Sequence, residues 1–375
     1  MRITCKQQDL RKGLSIVEHA VSTKSTLPIL ANILLATDQG RLKLYTTNLE
    51  IGISHWVEAT IHEEGTTTVP AKTFIELVSS LAQGELELTS SDETHAINVK
   101  SAKSNANIRG LDPSEYPAAP NSEGAEAPIS IEASLLKEMI NQVAFAAAND
   151  DSRPVLTGVC VEISAEKLSF AAADSFRLAF RETPLPGYDK LIYSSILIPA
   201  KTLSELARIL PSEGTVEMIV TPNRSQVLFH TESLDLVSRL IEGTFPNIRA
   251  AIPKQLATKA TLETKDFAAA VKMVTPFARD SSNIARVKIT NGITPELTVE
   301  ANAEDVGDNT ATINAAISGP DTNIIFNVRY LSEVLAAISS SEVTLEINTD
   351  KNPGIIRPVS TADYTYVIMP MSINR

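Results

Sequence analysis

"VPAKTF" at Val69–Phe74 returns as "IPAKTL" at Ile198–Leu203, 129 residues later. Outward from this echo the agreement continues. "VPAKTFIELVSSLAQGELELT" (69–89) and "IPAKTLSELARILPSEGTVEMIV" (198–220) each read as a strand, a proline turn, an amphipathic helix of about ten residues and another strand. A third copy, "FNVRYLSEVLAAISSSEVTLEI" (326–347), follows 128 residues after the second, with "YLSEVLAAI" set against "TLSELARIL". The proline is absent from this copy. The cation is not: Lys72, Lys201 and Arg329 occupy one position in all three.

The same shift relates other segments. Ile3, Leu10, Leu14 and Val17 recur 126 residues on as Ile129, Leu136, Ile140 and Val143, and again 131 further as Ala260, Phe267, Val271 and Val274. Intervals of seven, four and three fit one strand residue followed by one apolar helix face. Hairpin-like stretches lie between: "ILANILLATDQGRLKLYTTNLEIGI" (29–53) matches "VLTGVCVEISAEKLSFAAADSFRLA" (155–179), and "ARVKITNGITPELTVEANAED" (285–305) is a looser third member. Each unit reads strand, helix, several strands, helix, strands. The spacing predicts three tandem domains, 1–125, 126–252 and 253–375, divided by "PAAPNSEGAEAP" (117–128) and "FPNIRAAIPKQLATKA" (245–260). The fold class is α+β, with two helices per repeat on a mostly antiparallel sheet. Helices are expected to begin near Gln7, Ala71, Ser134, Ala200, Thr264 and Val328.

Composition narrows the function. The 375 residues are 43% hydrophobic and 21% charged, so each repeat can bury a core. Two cysteines, Cys5 and Cys160, stand far apart with no C-x-x-C, which suits a reducing compartment. No apolar leader or membrane-length segment is present, and a cytoplasmic protein is expected. The five histidines, His19, His55, His62, His95 and His230, form no H-E-x-x-H, and no G-x-S-x-G or P-loop occurs. The expectation is a non-enzyme without catalytic residues, metal or cofactor. Asp150-Asp151, a tempting acidic pair, falls where a helix gives way to a strand and reads as helix termination.

A net charge of −12 argues against nucleic acid only if it is spread evenly. It is not. Lys72, Lys201 and Arg329 open the second helix of each repeat, where a cation opposes the helix dipole at a cost of about 0.3–1 kcal/mol. Glu76, Glu205 and Glu333 follow four residues later, in the less favourable order. Lys265, Lys272 and Arg279 lie seven apart along one helix, a single stripe. Lys12 and Lys137 sit on the matching helices, and Arg208 joins on a second one. If such helices line a ring about 9 Å apart, six leave a hole of roughly 7 Å and twelve one of roughly 24 Å. Only the latter admits a duplex, so the chain would have to dimerise, closing head to tail.

The chain resembles, along its whole length, the beta sliding clamp (DNA polymerase III beta subunit) family of bacterial replication. "TLPILANILL" (26–35), "TTNLEIGI" (46–53), "TTVPAKTF" (67–74), "ADSFRLA" (173–179), "EGTFPNIR" (242–249) and "YVIMPM" (366–371) carry the similarity by their order and spacing. The resemblance implies a homodimeric ring of six domains, helices inside and sheets outside, that encircles double-stranded DNA without regard to sequence. It implies tethering of the replicative polymerase alpha subunit, the clamp loader and other proteins bearing a short clamp-binding peptide. Lys12, Lys24, Lys72, Lys137, Lys201, Arg208, Lys265, Lys272, Arg279 and Arg329 would face the DNA.

A peptide groove is implied as well. It would take Leu156, Ala173, Ser175, Phe176, Arg177 and Leu178 from the second repeat and Pro246 from the linker. Pro353, Val367, Ile368, Met369, Pro370 and Met371 would complete it, the methionines repacking around varied side chains. Ala173 and Phe176 stand where a hydroxyl residue and a His or Tyr are usual. Ser372 replaces a basic residue, and Asn374 and Arg375 extend past the common end. Ile108 and Phe277 are the candidates for the dimer contact. The alternatives are a specialised second clamp, or a repeat-built peptide platform that never encircles DNA.

Overall fold

A computed structural model describes residues 1–22, 26–91, 94–118, 128–150, 152–164, 166–185, 194–279, 281–360 and 363–372. Its six α-helices are α1 (Gln7–Val17), α2 (Ala71–Ser80), α3 (Ala133–Val143), α4 (Ala200–Ile209), α5 (Thr264–Arg279) and α6 (Val328–Ala337). Five begin at the predicted residue and α3 begins one earlier. The residues picked out by the 126- and 131-residue shifts are all buried, from Ile3, Leu10, Leu14 and Val17 through to Ala260, Phe267, Val271 and Val274. One apolar face therefore fixes each of α1, α3 and α5 on its sheet.

The starts of these three helices share a device. The first helical N–H donates to a distant carbonyl: Gln7 to Gly84 O at 2.9 Å, Ala133 to Gly214 O at 2.9 Å, and Thr264 to Ser341 O at 2.8 Å. Each acceptor precedes the strand that follows the repeat's second helix, so one bond ties both halves of a repeat together. It satisfies a donor that would otherwise be orphaned at the helix start. Approach to the sheet is closest at Gly13 of α1. A Cβ there would lie 2.7 Å from Val57 Cγ2 and 2.9 Å from Leu44 Cδ1.

Backbone contacts divide the chain into two compact units, residues 1–136 with 208–240, and residues 137–207 with 241–375. The first holds a five-stranded and an eight-stranded sheet, the second a nine-stranded and a four-stranded sheet. The strands that matter below are β1 (Arg41–Thr47), β2 (Ile51–Val57), β3 (Arg177–Pro184), β4 (Gln226–His230), β5 (Leu234–Arg239), β6 (Gly354–Pro358) and β7 (Tyr364–Ile368). In the eight-stranded sheet β2 pairs antiparallel with β5, Gly52 opposite Val237. In the nine-stranded sheet β3 pairs antiparallel with β7, Leu178 opposite Val367. Each of these sheets therefore continues from one sequence repeat into the next.

Candidate functional site

Lys72, Lys201 and Arg329 are each the second residue of α2, α4 and α6, and each is exposed. Pro70 occupies the N-cap position of α2 with no side-chain capping bond, whereas in α6 Asn327 stands there and its Oδ1 accepts from Arg329 N at 3.0 Å. The proline of the opening echo fixes the backbone at the position where, in the third copy, asparagine caps the helix. Lys12, Arg208, Lys265, Lys272 and Arg279 are exposed too, and Lys137 is half-buried. Lys24 lies outside the described residues. Along α5 the three cations stand away from Phe267, Ala270, Val271, Val274 and Ala278, which are buried. Arg329 Nε meets Glu333 Oε1 at 3.1 Å, whereas Lys72 and Lys201 form no ion pair among the described residues.

Of the expected groove residues, Ala173, Leu178 and Val367 come together on one face of the sheet, where β7 runs between β3 and β6. Leu178, Ile355 and Val367 form a buried cluster, with Ala173, Ile248, Ile252 and Leu256 packed against it. Beside it Cys160, Ala171, Phe180 and Leu197 are covered by Val155, Ile241, Phe245 and Ile248. Large apolar side chains remain uncovered at the rim: Phe176 is 59% exposed and Met369 41%. Pro246 is exposed, Pro353, Pro370 and Met371 are half-buried, and Leu156 is buried. The rim turn is built by Asp174, whose Oδ1 accepts from Phe176 N at 3.0 Å and Arg177 N at 3.1 Å. Ser175 takes the left-handed conformation, φ +83°, and receives Arg153 Nη1 on its Oγ at 2.7 Å. Met369 N closes the arrangement on Phe176 O at 2.8 Å.

Two expected groove residues face the other way. Side chains alternate along a strand, and Arg177 pairs with Ile368 while Leu178 pairs with Val367. Ile368 is fully buried behind the groove on the side of Phe326, both lying next to Gly354. Arg177 is 4% exposed and turns to the helix side. Its Nε meets Asp174 Oδ2 at 2.9 Å, Nη2 donates to Phe145 O at 2.7 Å, and Nη1 reaches Glu333. The guanidinium lies 4.3 Å from the Tyr330 ring centroid and 5.5 Å from that of Phe145. Burial works against its charge, but Tyr366, Glu333 and Asp174 outweigh burial and raise its pKa. Tyr366, fully buried, has its own pKa raised, burial being the largest cause. Arg177 thus anchors the rim turn from behind.

From the linker, where the sequence singles out Pro246 alone, Phe245, Ile248, Ile252 and Leu256 pack against the two apolar clusters of the groove. Their spacing of three, four and four was the available signal. Ile108, a dimer candidate, is 8% exposed and pairs with Ile97 on strand Asn105–Arg109, the outermost of the five-stranded sheet. Its side chain is therefore core, and what that strand presents outward is backbone. Phe277 is half-buried near the end of α5. Asp150 accepts from Ser152 N at 2.9 Å and Ser152 Oγ at 2.6 Å, bonds that lower its pKa. That is turn chemistry, and Asp151 lies outside the described residues. Among the described residues no group of three or more His, Cys, Asp or Glu could hold a metal, and no helix is long and apolar enough to cross a membrane.

Three family models match the chain in order. The N-terminal domain of the DNA polymerase III beta subunit covers residues 1–120, its central domain 130–247 and its C-terminal domain 249–372. A beta sliding clamp from Synechocystis sp. is 32% identical over 393 residues, covering 100% of both chains. One from Bacillus subtilis is 29% identical over 381 residues, covering 99% of each. The crystal structure of the Bacillus subtilis DNA polymerase sliding clamp superposes with a TM-score of 0.92 at 27% identity over 100% of each chain. The Streptococcus pyogenes beta subunit gives 0.92 at 26% identity, again over 100% of each.

Proposed function

Because the chain belongs to the DNA polymerase III beta subunit family, the beta sliding clamps, we propose that its helix cations face duplex DNA inside a ring closed by a second copy. The protein is a sliding clamp, a non-catalytic processivity factor that tethers polymerase to DNA. The observation that carries the DNA-facing assignment is the exposed cation at the second position of α2, α4 and α6, maintained against the helix dipole in every repeat. Phosphate contacts of this kind are blind to sequence and individually weak, which permits sliding. The six-domain arrangement follows from the three sequence domains, 1–125, 126–252 and 253–375, taken twice. Its place of work is the cytoplasm.

Ring closure is assigned to two sheet edges that are open among the described residues. Strand Asn105–Arg109 is outermost in its five-stranded sheet, and strand Gly307–Asn314 is outermost in the four-stranded sheet. Unpaired edges recruit another strand, and a head-to-tail union of these two closes a ring. Phe277 lies on α5, which packs on strand Gly307–Asn314. The groove rimmed by Phe176 and Met369 is assigned to the short peptides of the polymerase alpha subunit, the clamp loader and other partners.

The test is topological. Loaded on closed circular duplex, the protein stays bound through gel filtration and leaves when the circle is cut. Equal loss from circular and linear DNA overturns the ring. Native mass about twice that of the 40.4 kDa chain is expected.

A further inference from the structure

The geometry points to a second peptide-docking pocket, in the unit formed by residues 1–136 and 208–240, that takes one large apolar side chain with a neighbouring carboxylate on Arg239. A cavity of about 130 Å³ opens there, lined by Tyr45, Leu49, Glu50, Gly52, Val237 and Arg239 among others. Its lining is the counterpart, through the repeat, of the groove at β3 and β7. The 126-residue shift carries Thr47, Leu49, Glu50 and Gly52 onto Ala173, Ser175, Phe176 and Leu178.

The backbone agrees bond for bond. Leu49 is left-handed at φ +73°, as Ser175 is at +83°. Asn48 Oδ1 accepts from Glu50 N at 3.0 Å and Ile51 N at 2.9 Å, as Asp174 does from Phe176 and Arg177. Arg239 N donates to Glu50 O at 2.9 Å, as Met369 N does to Phe176 O at 2.8 Å. Gly52 opposite Val237 stands where Leu178 opposes Val367.

The side chains differ, and the differences define the ligand. Gly52 omits the side chain that Leu178 supplies, and a Cβ there would lie 3.2 Å from Tyr45 Oη. The Tyr45 ring stands where that side chain would go and forms one wall of the cavity. That ring is held edge-on by Tyr116 at 5.7 Å, whose O–H donates to Asn32 O at 2.9 Å. A cavity of about 150 Å³ is large enough for a benzene ring, so by size this one admits a single phenylalanine or leucine side chain. The cavity's apolar wall is Tyr45, Leu49 and Val237, and its polar wall is Thr47, Gln226 and Arg239. At the mouth, Leu49 is 45% exposed. Arg239 replaces Met369, and its guanidinium has no ion pair among the described residues. A carboxylate beside the apolar anchor would complete it. Glu50, also at the mouth, places that carboxylate on the Arg239 side and leaves a backbone amide or a cation of the peptide for its own.

The choice of a peptide as ligand rests on the reading of the groove at Phe176 and Met369; the cavity does not. Methyl-labelled full-length protein is titrated with acetyl-Phe-Asp-amide while the Leu49, Val237, Leu178 and Val367 methyls are followed by NMR. Saturable shifts at Leu49 and Val237 are expected, weakened about tenfold by Arg239→Gln or by acetyl-Phe-Asn-amide, the loss of one charge-assisted contact. Shifts confined to Leu178 and Val367 overturn the second pocket while leaving the groove reading intact. Shifts at neither pair overturn it as well. Shifts at Leu49 and Val237 that are indifferent to Arg239→Gln overturn the carboxylate assignment.

Discussion

Glu333 is shared by two arginines of opposite circumstance. Arg177 is buried and meets one carboxylate oxygen; Arg329 is exposed and meets the other at 3.1 Å. Removing the carboxylate charge leaves Arg177 with Asp174 as its remaining anionic partner, and hydrogen bonds to charged groups are each worth about 1.5–3 kcal/mol. Glu333→Gln should therefore lower unfolding stability by about 2 kcal/mol in urea titration, with Arg329→Gln nearly neutral because Arg329 is itself exposed to solvent. An equal effect of the two would show that the buried arginine does not depend on Glu333. His55 offers a second test at this scale. Burial first, then the charges of Lys12 and Arg41, lower its pKa from 6.5 to about 4, so the native protein holds it neutral where the unfolded chain takes up a proton. Its contribution is complete above pH 6.5 and is lost as pH falls toward 4, about 2 kcal/mol between pH 7 and 5. His55→Gln should flatten that part of the stability profile; parallel profiles would refute the assignment.

Among the elements, α1 shows best what one residue does for a whole helix. Gly13 lets α1 lie against Val57 and Leu44 at distances no Cβ tolerates. Gly13→Ala gains about 1 kcal/mol in helix propensity and loses about 1–3 kcal/mol to overpacking. A net destabilisation of about 1 kcal/mol is expected in thermal or urea denaturation, and a more stable variant would mean the helix can ride outward freely. Helices of this kind were legible in the sequence because their information is local. A period of 3.6 and a start signal placed all six within one residue. Sheet continuity was not legible. Nothing in "EIGIS" or "LDLVS" announces that Ile51–Val57 pairs with Leu234–Arg239, since that ladder joins backbone groups far apart in sequence. The same blindness put Ile368 in the groove. Only the register of β3 against β7 tells which side of the strand it faces. The rim residues are readable through the repeat and the family resemblance, but the linker's Ile248, Ile252 and Leu256 carry only a helix-like spacing, and the residues they pack on, Leu178, Ile355 and Val367, lie far off in sequence.

Across the whole molecule, the charge is unevenly placed. A net charge of −12 disfavours non-specific adhesion to DNA, while the second position of α2, α4 and α6 is basic and exposed. If the duplex passes those helices, changing Lys72, Lys201 and Arg329 together to Glu converts weak attraction into repulsion without touching the two proposed closing edges. Native mass should remain that of a dimer, and the half-life on closed circular DNA should fall about tenfold or more at 0.1 M salt, where the Debye length of about 10 Å still transmits the inner charges. At 0.5 M salt the difference from the unaltered protein should shrink, because topology then holds both while screening removes the phosphate contacts. Retention of the triple variant equal to the parent at low salt would remove these cations from the DNA-facing set. Loss of the dimer would instead mean that they serve assembly.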